Sequence, residues 1–494
     1  MKKHIFTYIL IFSAVVFCTS CNGSSQDVTS VDSVFTVSTD SAKFGGVGGN
    51  DTLTVIMNGN SWAVSSDQTW CILSLSLSSN KTEKLVVTTT ENTTGSVRTA
   101  NLTFVMDQKK KVVIPVQQAI KSVTYPDYSD PIAADATGMS SAAKVLAAKI
   151  FAGWNLGNSL EVPSDETAWG NPKTTQVLID SIKAAGFNAI RIPCAWNSHI
   201  EDALTCKISA AWLTRVKQVI DYCYKNDMYV IINIHYDEGW LENNPTYAKQ
   251  NAVNAKQKAL WEQIAVYFRD YDEHLLFAGT NEVHINYDTP TTENITVQQS
   301  YNQTFVTAVR STGGKNANRN LIIQSYNTNI GLAISYLKLP SDKTTNRMMV
   351  EVHYYDPWEF CGNTSSSVYL WGTSYAQYGS ISNWGQEDYV KSQFQSMKTN
   401  FIDKGYPVIL GEYGAIRRSE LSGTALTNHL ASHAYYLEYV TKQAKNYGLV
   451  PFYWDNGVTG NDGFGIFYRS TGAVFEKQAL TALQAGAAAG VYPY

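Results

Sequence analysis

An excess of charge of either sign is missing from this chain: among 494 residues, 38 Lys and Arg stand against 42 Asp and Glu, a formal net charge of −4. That balance provides no electrostatic footprint for nucleic acid or an anionic membrane, so nucleic acid is excluded as a partner. No His-Glu-x-x-His run or His/Cys cluster occurs, and with it the common ligand spacings of zinc are missing. Long apolar runs are lacking too. The N-terminal stretch Ile5 to Phe17 falls short of the roughly 20 residues that cross a bilayer as a helix. Charged residues make up only 16% and apolar ones 44%, which is the composition of a folded soluble protein rather than a disordered one. The excess lies in aromatics, 30 Tyr and 12 Trp. These fill large cores, and their faces also stack on sugar rings.

The first twenty residues combine Lys2 and Lys3, the apolar run and small residues before Cys21. They resemble a lipoprotein signal peptide, with Cys21 as the lipidated residue and a plain secretory signal as the alternative. The expectation is an exported protein, anchored by its lipid at the outer membrane or cell surface of a Gram-negative bacterium; secreted or periplasmic placement is the alternative. Several acyl chains hold stably where one binds marginally. Of seven cysteines, five remain beyond Cys21, an odd number without a Cys-x-x-Cys pair. At least one is therefore a free thiol, and Cys194, Cys206 and Cys223 read as small apolar packing groups.

The rhythm of the chain changes twice. Residues 21–33 are polar and serine-rich, a tether. Residues 34–119 alternate in short segments such as Leu53 to Met57 and Leu102 to Met106, separated by Gly, Asn, Asp and Ser; this predicts a small all-β, immunoglobulin-like sandwich. A proline-containing link, 120–138, leads into 139–494. There, amphipathic helices alternate with eight strand candidates: Gly153 to Leu156, Ala189 to Pro193, Tyr229 to His235, Leu275 to Glu282, Leu321 to Gln324, Met348 to Tyr355, Val408 to Glu412 and Val450 to Trp454. Eight strands in that alternation predict an α/β fold, the (β/α)8 TIM barrel, with an open doubly wound sheet as runner-up.

Polar residues gather where those strands end, the rim that carries barrel active sites. Asn158 follows the first strand and Arg191 lies in the second; His235 ends the third, Asn281 and Glu282 the fourth, His353 and Tyr355 the sixth, Glu412 the seventh and Trp454 the eighth. Each pays a desolvation cost that neighbours or a ligand must offset. Two carboxylates on facing strands suit paired acid/base chemistry, and at about 5 to 5.5 Å they suit retaining glycoside hydrolysis. One must stay ionised, which an arginine favours; the other must be protonated, which burial and the second carboxylate favour. Two Glu and two His could alternatively hold a metal, although no ligand-pair spacing supports it, and no metal or cofactor is expected.

The motifs GWNLGNSLE (153–161), ETAWGNP (166–172), IRIPCAW (190–196), IINIHYDEGW (231–240), GTNE (279–282), VEVHYYDPWEF (350–360), GEYG (411–414) and YWDNG (453–457) occur in order along the barrel. Together they resemble glycoside hydrolase family 5 of clan A, and within it the endo-β-1,4-glucanases and xyloglucanases of subfamily 4. The sandwich resembles a BACON module in SWAVSSDQTWC (61–71), Asn92, Arg98 and VIPVQQ (113–118). The resemblance implies Glu282 as acid/base and Glu412 as nucleophile, with Arg191 and Tyr355 orienting the nucleophile. It also implies Asn281 on the sugar 2-hydroxyl, His235 and His353 as positioning groups, and Trp454 as the floor under the ring beside the cleaved bond. Tyr236 stands where the family often has a second histidine. Trp169, Trp196, Trp240 and Trp358 are expected to stack on glucosyl units, with Asn158, His199 and Asp356 as supports. The implied activity is retaining endo-hydrolysis of a β-glucan polysaccharide by a monomer. A mannanase or xylanase on the same scaffold, or a non-catalytic glycan-binding lipoprotein, is the alternative.

Overall fold

The computed structural model describes residues 34–58, 61–76, 82–107, 109–121 and 123–494. The expected signal segment 1–20, Cys21 and the tether 21–33 lie outside the described residues. Two compact units divide after Val123. Of the stretch read as a link, residues from Thr124 onward belong to the second unit: Tyr125 and Tyr128 pack on its core, and Ile132–Ala134 pairs with Gly313–Gly314.

The first unit is a sandwich of two four-stranded sheets. One orders its strands Phe35–Val37, Gly49–Met57, Thr82–Thr89 and Cys71–Ser76; the other orders them Ala42–Phe44, Lys110–Gln118, Arg98–Met106 and Trp62–Ser66. Alternation along Arg98–Met106 buries Ala100, Leu102, Phe104 and Met106, the period of two that the sequence carried. Trp62 is buried, stacks on Phe104 and donates its indole N–H to Glu83 at 2.8 Å. Trp62 is therefore a core residue. Trp70 lies under the Arg98 guanidinium, 4.3 Å from the ring centre.

The second unit closes eight parallel strands into a barrel: Gly153–Leu156, Ala189–Ile192, Tyr229–Asn233, Leu275–Ala278, Leu321–Gln324, Met348–Tyr354, Val408–Tyr413 and Leu449–Asp455, the last pairing with the first. Helices such as Gln176–Ala184, Ala210–Tyr224, Tyr247–Tyr267 and Glu387–Asn400 follow the periodic runs in the sequence. Their apolar stripes and the outward strand residues form one core; a second core fills the barrel and is plugged by Ala143, Leu146, Ala147 and Ile150 of the helix Ala143–Lys149 and its flank. Glu273 clasps this plug. It accepts the backbone N–H of Ser141 at 2.7 Å and its hydroxyl at 2.6 Å, and pairs with Lys149 at 2.8 Å.

Candidate active site

Side-chain parity decides which residues reach the barrel axis. Successive strand residues face opposite sides, and the interior core fixes the inward set through Ala189, Ile231, Ala278, Ile322, Met349, Ile409 and Phe452. Counting on by twos brings Arg191, His235, Gln324, Glu351, His353 and Trp454 inward. Glu282 follows from Ala278 by the same count, although the fourth strand stops at Ala278 and Glu282 stands in the loop beyond it. The expectation that Glu282 ends the strand is corrected accordingly.

Glu412 breaks the count. Two steps from Ile409 is Gly411, which would leave Glu412 facing the helices. A bulge repairs this: Val352 pairs with Leu410 but His353 pairs with Glu412, so the seventh strand carries one extra residue. Gly411 is required there, because a Cβ would sit 2.1 Å from Glu351 Oε1. Gly157 serves similarly at the first strand's end, where a Cβ would meet the Trp454 indole at 2.9 Å.

Arg191 is the wholly buried hub. Its Nη1 donates to Glu412 Oε1 at 2.9 Å and to Asn155 Oδ1 at 3.0 Å, and its Nη2 donates to Asn281 Oδ1 at 2.9 Å. Its Nε lies 2.9 Å from Glu351 Oε1. The Tyr355 hydroxyl donates to Glu412 Oε2 at 3.1 Å. His353 Nδ1 is 2.6 Å from Glu282 Oε1 and 3.7 Å from Glu412 Oε2, while its Nε2 is 3.3 Å from Glu351 Oε1. One carboxylate oxygen of each of Glu282 and Glu412, and one His353 nitrogen, lie within 4.8 Å of one another. Glu242 accepts the Glu282 backbone N–H at 3.0 Å and the Asn281 amide at 3.1 Å. It thereby fixes the peptide that carries both residues.

Burial pushes every carboxyl in this cluster up. In Glu282 burial is the largest influence, but the His353 hydrogen bond together with the charges of His353, His284 and Arg191 outweighs it and holds the carboxyl below its ordinary range, whereas Glu412 stays above it because burial, Glu282 and Glu351 outweigh His353 and Arg191. The sequence reading expected the acid to be the raised group. The difference is His353: burial opposes its charge, yet Glu412, Glu282 and Glu351 raise it to about 10. One proton thus belongs to the Glu282–His353 hydrogen bond, whether drawn on Oε1 or Nδ1, and the two residues titrate as a unit. Burial lowers His235 and keeps it neutral, and its ring lies parallel to Trp454 with centres 6.0 Å apart. Glu242 is raised to about 7 by burial and by Glu282.

Above this cluster opens a cleft of about 810 Å³, lined among others by Glu282, Tyr287, His353, Tyr355, Trp358, Glu412 and Trp454. Trp358 is 53% exposed and Tyr287 80% exposed, so both offer faces to a ligand. The other tryptophans divide. Trp196 is completely buried and donates its indole N–H to the Asn233 carbonyl, so the expected stacking role is corrected to core packing. Trp240 is half-buried, bonded to Asp237 at 2.8 Å beneath Lys256, and Trp169 is exposed; neither lines this cleft. Trp371 is buried against Tyr436 in the core outside the barrel interior. Asn158 adopts φ 54° and holds its loop, its N–H donating to Glu161 and its carbonyl accepting from Asn171. His199 stacks on Trp212, away from the cleft. Asp356 lines it. Among residues the sequence reading passed over, Glu351 was visible as a charge inside an apolar run. Gln324 closes an apolar strand run as the recognised residues do, whereas Asn155 and Glu242 carried no distinguishing pattern.

A family model described as cellulase (glycosyl hydrolase family 5) matches residues 155–460, and one described as a putative N-terminal binding domain, BACON, matches 60–119. A xyloglucan-specific endo-β-1,4-glucanase of Bacteroides ovatus is 40% identical over 440 residues, covering 86% of each chain. Among solved structures, a Bacteroides ovatus GH5 xyloglucanase in complex with a XXXG heptasaccharide is 38% identical at a TM-score of 0.70, covering 92% of this chain and 100% of that one. A GH5-4 broad specificity endoglucanase from Bacteroides salanitronis is 36% identical at 0.65, covering 71% and 96%. With its barrel matched from Asn155 onward by that family's model, and a relative this similar along most of both chains, the protein belongs to glycosyl hydrolase family 5.

Proposed function

We propose that the chain is a retaining endo-β-1,4-glucanase acting on plant cell-wall β-glucans, including cellulose-like, mixed-linkage and xyloglucan chains. The observation that carries this is the spacing of Glu282 and Glu412, whose carboxylate oxygens come within 4.8 Å at the base of a cleft about 810 Å³ in volume. That separation leaves no room for the water an inverting enzyme places between its carboxyls.

A Glu412 carboxylate oxygen attacks the anomeric carbon, and the glycosidic C–O bond breaks as the departing oxygen takes the proton of the Glu282–His353 pair. Arg191 and Tyr355 each occupy one oxygen of Glu412, which orients the attack. In the second step Glu282 takes a proton from water, the water oxygen bonds to the anomeric carbon, and Glu412 leaves as carboxylate. The pair is then protonated again and the sugar keeps its configuration. Asn281, fixed by Arg191 and Glu242, faces the 2-hydroxyl of the sugar being cleaved, and Trp454 lies under the neighbouring ring. Trp358 and Tyr287 extend the aromatic wall for a polymer.

A product profile on xyloglucan, mixed-linkage glucan, carboxymethylcellulose, mannan and xylan tests the substrate class. Internal cleavage of the first three is expected; faster hydrolysis of mannan or xylan overturns it. Proton NMR of the first products should show the retained anomer. Export and lipidation at Cys21 rest on the N-terminal sequence, and are tested by mass spectrometry of the mature N-terminus and by detergent partitioning. A cleaved, unmodified N-terminus would mean plain secretion.

A further inference from the structure

Three carboxylates surround His353, and the third lies beneath the cleft rather than in it. Glu351 is fully buried on the sixth strand, two residues before His353 and on the same inward face. Its Oε1 lies 2.9 Å from Arg191 Nε and 3.3 Å from His353 Nε2; its Oε2 accepts from Gln324 Nε2 at 2.6 Å. Gln324 Oε1 in turn accepts the backbone N–H of Thr280 at 3.0 Å, two residues before Glu282. The Arg191 Nε–H is not aimed at Oε1, so that contact is one of charge alone, and the directed partner left for this oxygen is the imidazole. The backbone is also shaped around it, since only a glycine at 411 leaves the carboxylate its space.

We infer that Glu351 is a positioning residue that sets the acid strength of Glu282 through His353. By accepting the Nε2–H it fixes the imidazole tautomer. Nδ1 then has Glu282 as its hydrogen-bond partner at 2.6 Å, with Glu412 Oε2 farther off at 3.7 Å, and a neutral His353 can only accept there. The proton of the pair is thereby available on Glu282 Oε1, where the departing sugar oxygen needs it. Without an acceptor at Nε2 the pair holds its second proton less tightly; once that proton is lost to solvent, the neutral ring carries its remaining proton at Nδ1 and donates it to an ionised Glu282 that has nothing to give. The charged and titratable groups around His353 are Glu282 from the loop after the fourth strand and Glu412, Glu351 and His235, with Arg191 and Tyr355 bound to the same carboxylates. Glu351 itself is held ionised: burial opposes this, but Arg191, His353 and Gln324 outweigh it.

The inference rests on Glu282 being the acid/base, and the test separates the two. kcat/KM reports the first chemical step, which on a glucan needs a protonated leaving oxygen and on 2,4-dinitrophenyl β-cellobioside does not. Glu351→Leu removes the acceptor and should lower kcat/KM on glucan by about 100-fold, a typical general-acid contribution, while the dinitrophenyl substrate loses less than about threefold. Glu351→Gln keeps an acceptor and removes the charge. It should retain most of the plateau rate but move the alkaline limb of the glucan pH profile to lower pH; the acid limb, set by Glu412, should move the same way, because Glu351 helps to raise that carboxyl. Equal losses on both substrates, or an unmoved alkaline limb in Glu351→Gln, would overturn the inference. If Glu351→Leu does not fold, the Glu351→Gln limb decides. A wild-type protein that cleaves neither substrate would sink the glucanase reading instead.

Discussion

The sandwich and the barrel obey the same burial rule and treat charge in opposite ways. Among its described residues the sandwich buries only Thr89, Asn92 and Gln118 as polar side chains, with no charged one. The barrel buries Arg191, Glu351, His353 and Glu412 in one cluster, and Glu161, Glu242, Asp237 and Asp455 besides. Charge buried in such density is tolerable because each ion has a partner of opposite sign or a donor, and in the Arg191 cluster those partners are the groups proposed to carry the chemistry.

The sharpest way to break this contrast is to neutralise the nucleophile. Glu412→Gln should lower kcat/KM on glucan by about 10⁴-fold or more, while the thermal midpoint stays level or rises, because a carboxyl pushed up by burial, Glu282 and Glu351 no longer needs to ionise. A midpoint that falls with the activity would make that carboxylate a structural element. Arg191→Met removes the shared cation and strands two carboxylates. Denaturant unfolding should show a loss of about 3–5 kcal/mol, the cost of breaking a buried pair, against under about 1 kcal/mol for Lys121→Met, whose pair with Glu91 in the sandwich unit is about 40% exposed on either side.

Acid exposes a third difference. Hydrogen bonds from Lys149 and Ser141 overcome burial and hold the Glu273 carboxyl at about 2, below the roughly 4.3 of an unfolded chain. Its contribution is complete above the higher value and drains away as pH falls towards the lower one. Barrel stability should therefore decline in that window, and Glu273→Gln should flatten the decline in a pH series of melts; an unchanged series would mean that the Glu273 clasp does not set the acid stability of the barrel. The smallest effect belongs to the rim. Trp358→Ala should raise KM on glucan by about threefold to tenfold through a lost stacking face, leaving kcat on a short aryl glycoside nearly unchanged.

Sequence pattern made the architecture readable because both folds advertise their period, two in the sandwich and alternating strand and helix in the barrel. All eight barrel strands appear within a few residues of their expected positions. The inner residues were readable for the same reason, as polar groups at the ends of apolar runs. Less visible was how Glu412 comes to face inward, since parity alone points it the wrong way; Gly411 was the only mark of the bulge. Trp196 was misread because a tryptophan in a loop beside the rim has the same sequence signature whether its indole meets a sugar or a backbone carbonyl. Glu242 stayed hidden, being a polar residue in mixed surroundings whose partners Asn281 and Glu282 come from a distant part of the chain.

The five described cysteines are all buried and unpaired, one at position 71 in the sandwich and four, at 194, 206, 223 and 361, in the barrel. This arrangement is a built-in pair of clocks. A thiol reagent in solution can reach none of them until the surrounding structure opens, so the labelling rate of Cys71 times the opening of one unit and the remaining four time the other. Mass spectrometry of labelled peptides would read both clocks in a single sample of unaltered protein, and show which unit opens first when the temperature rises.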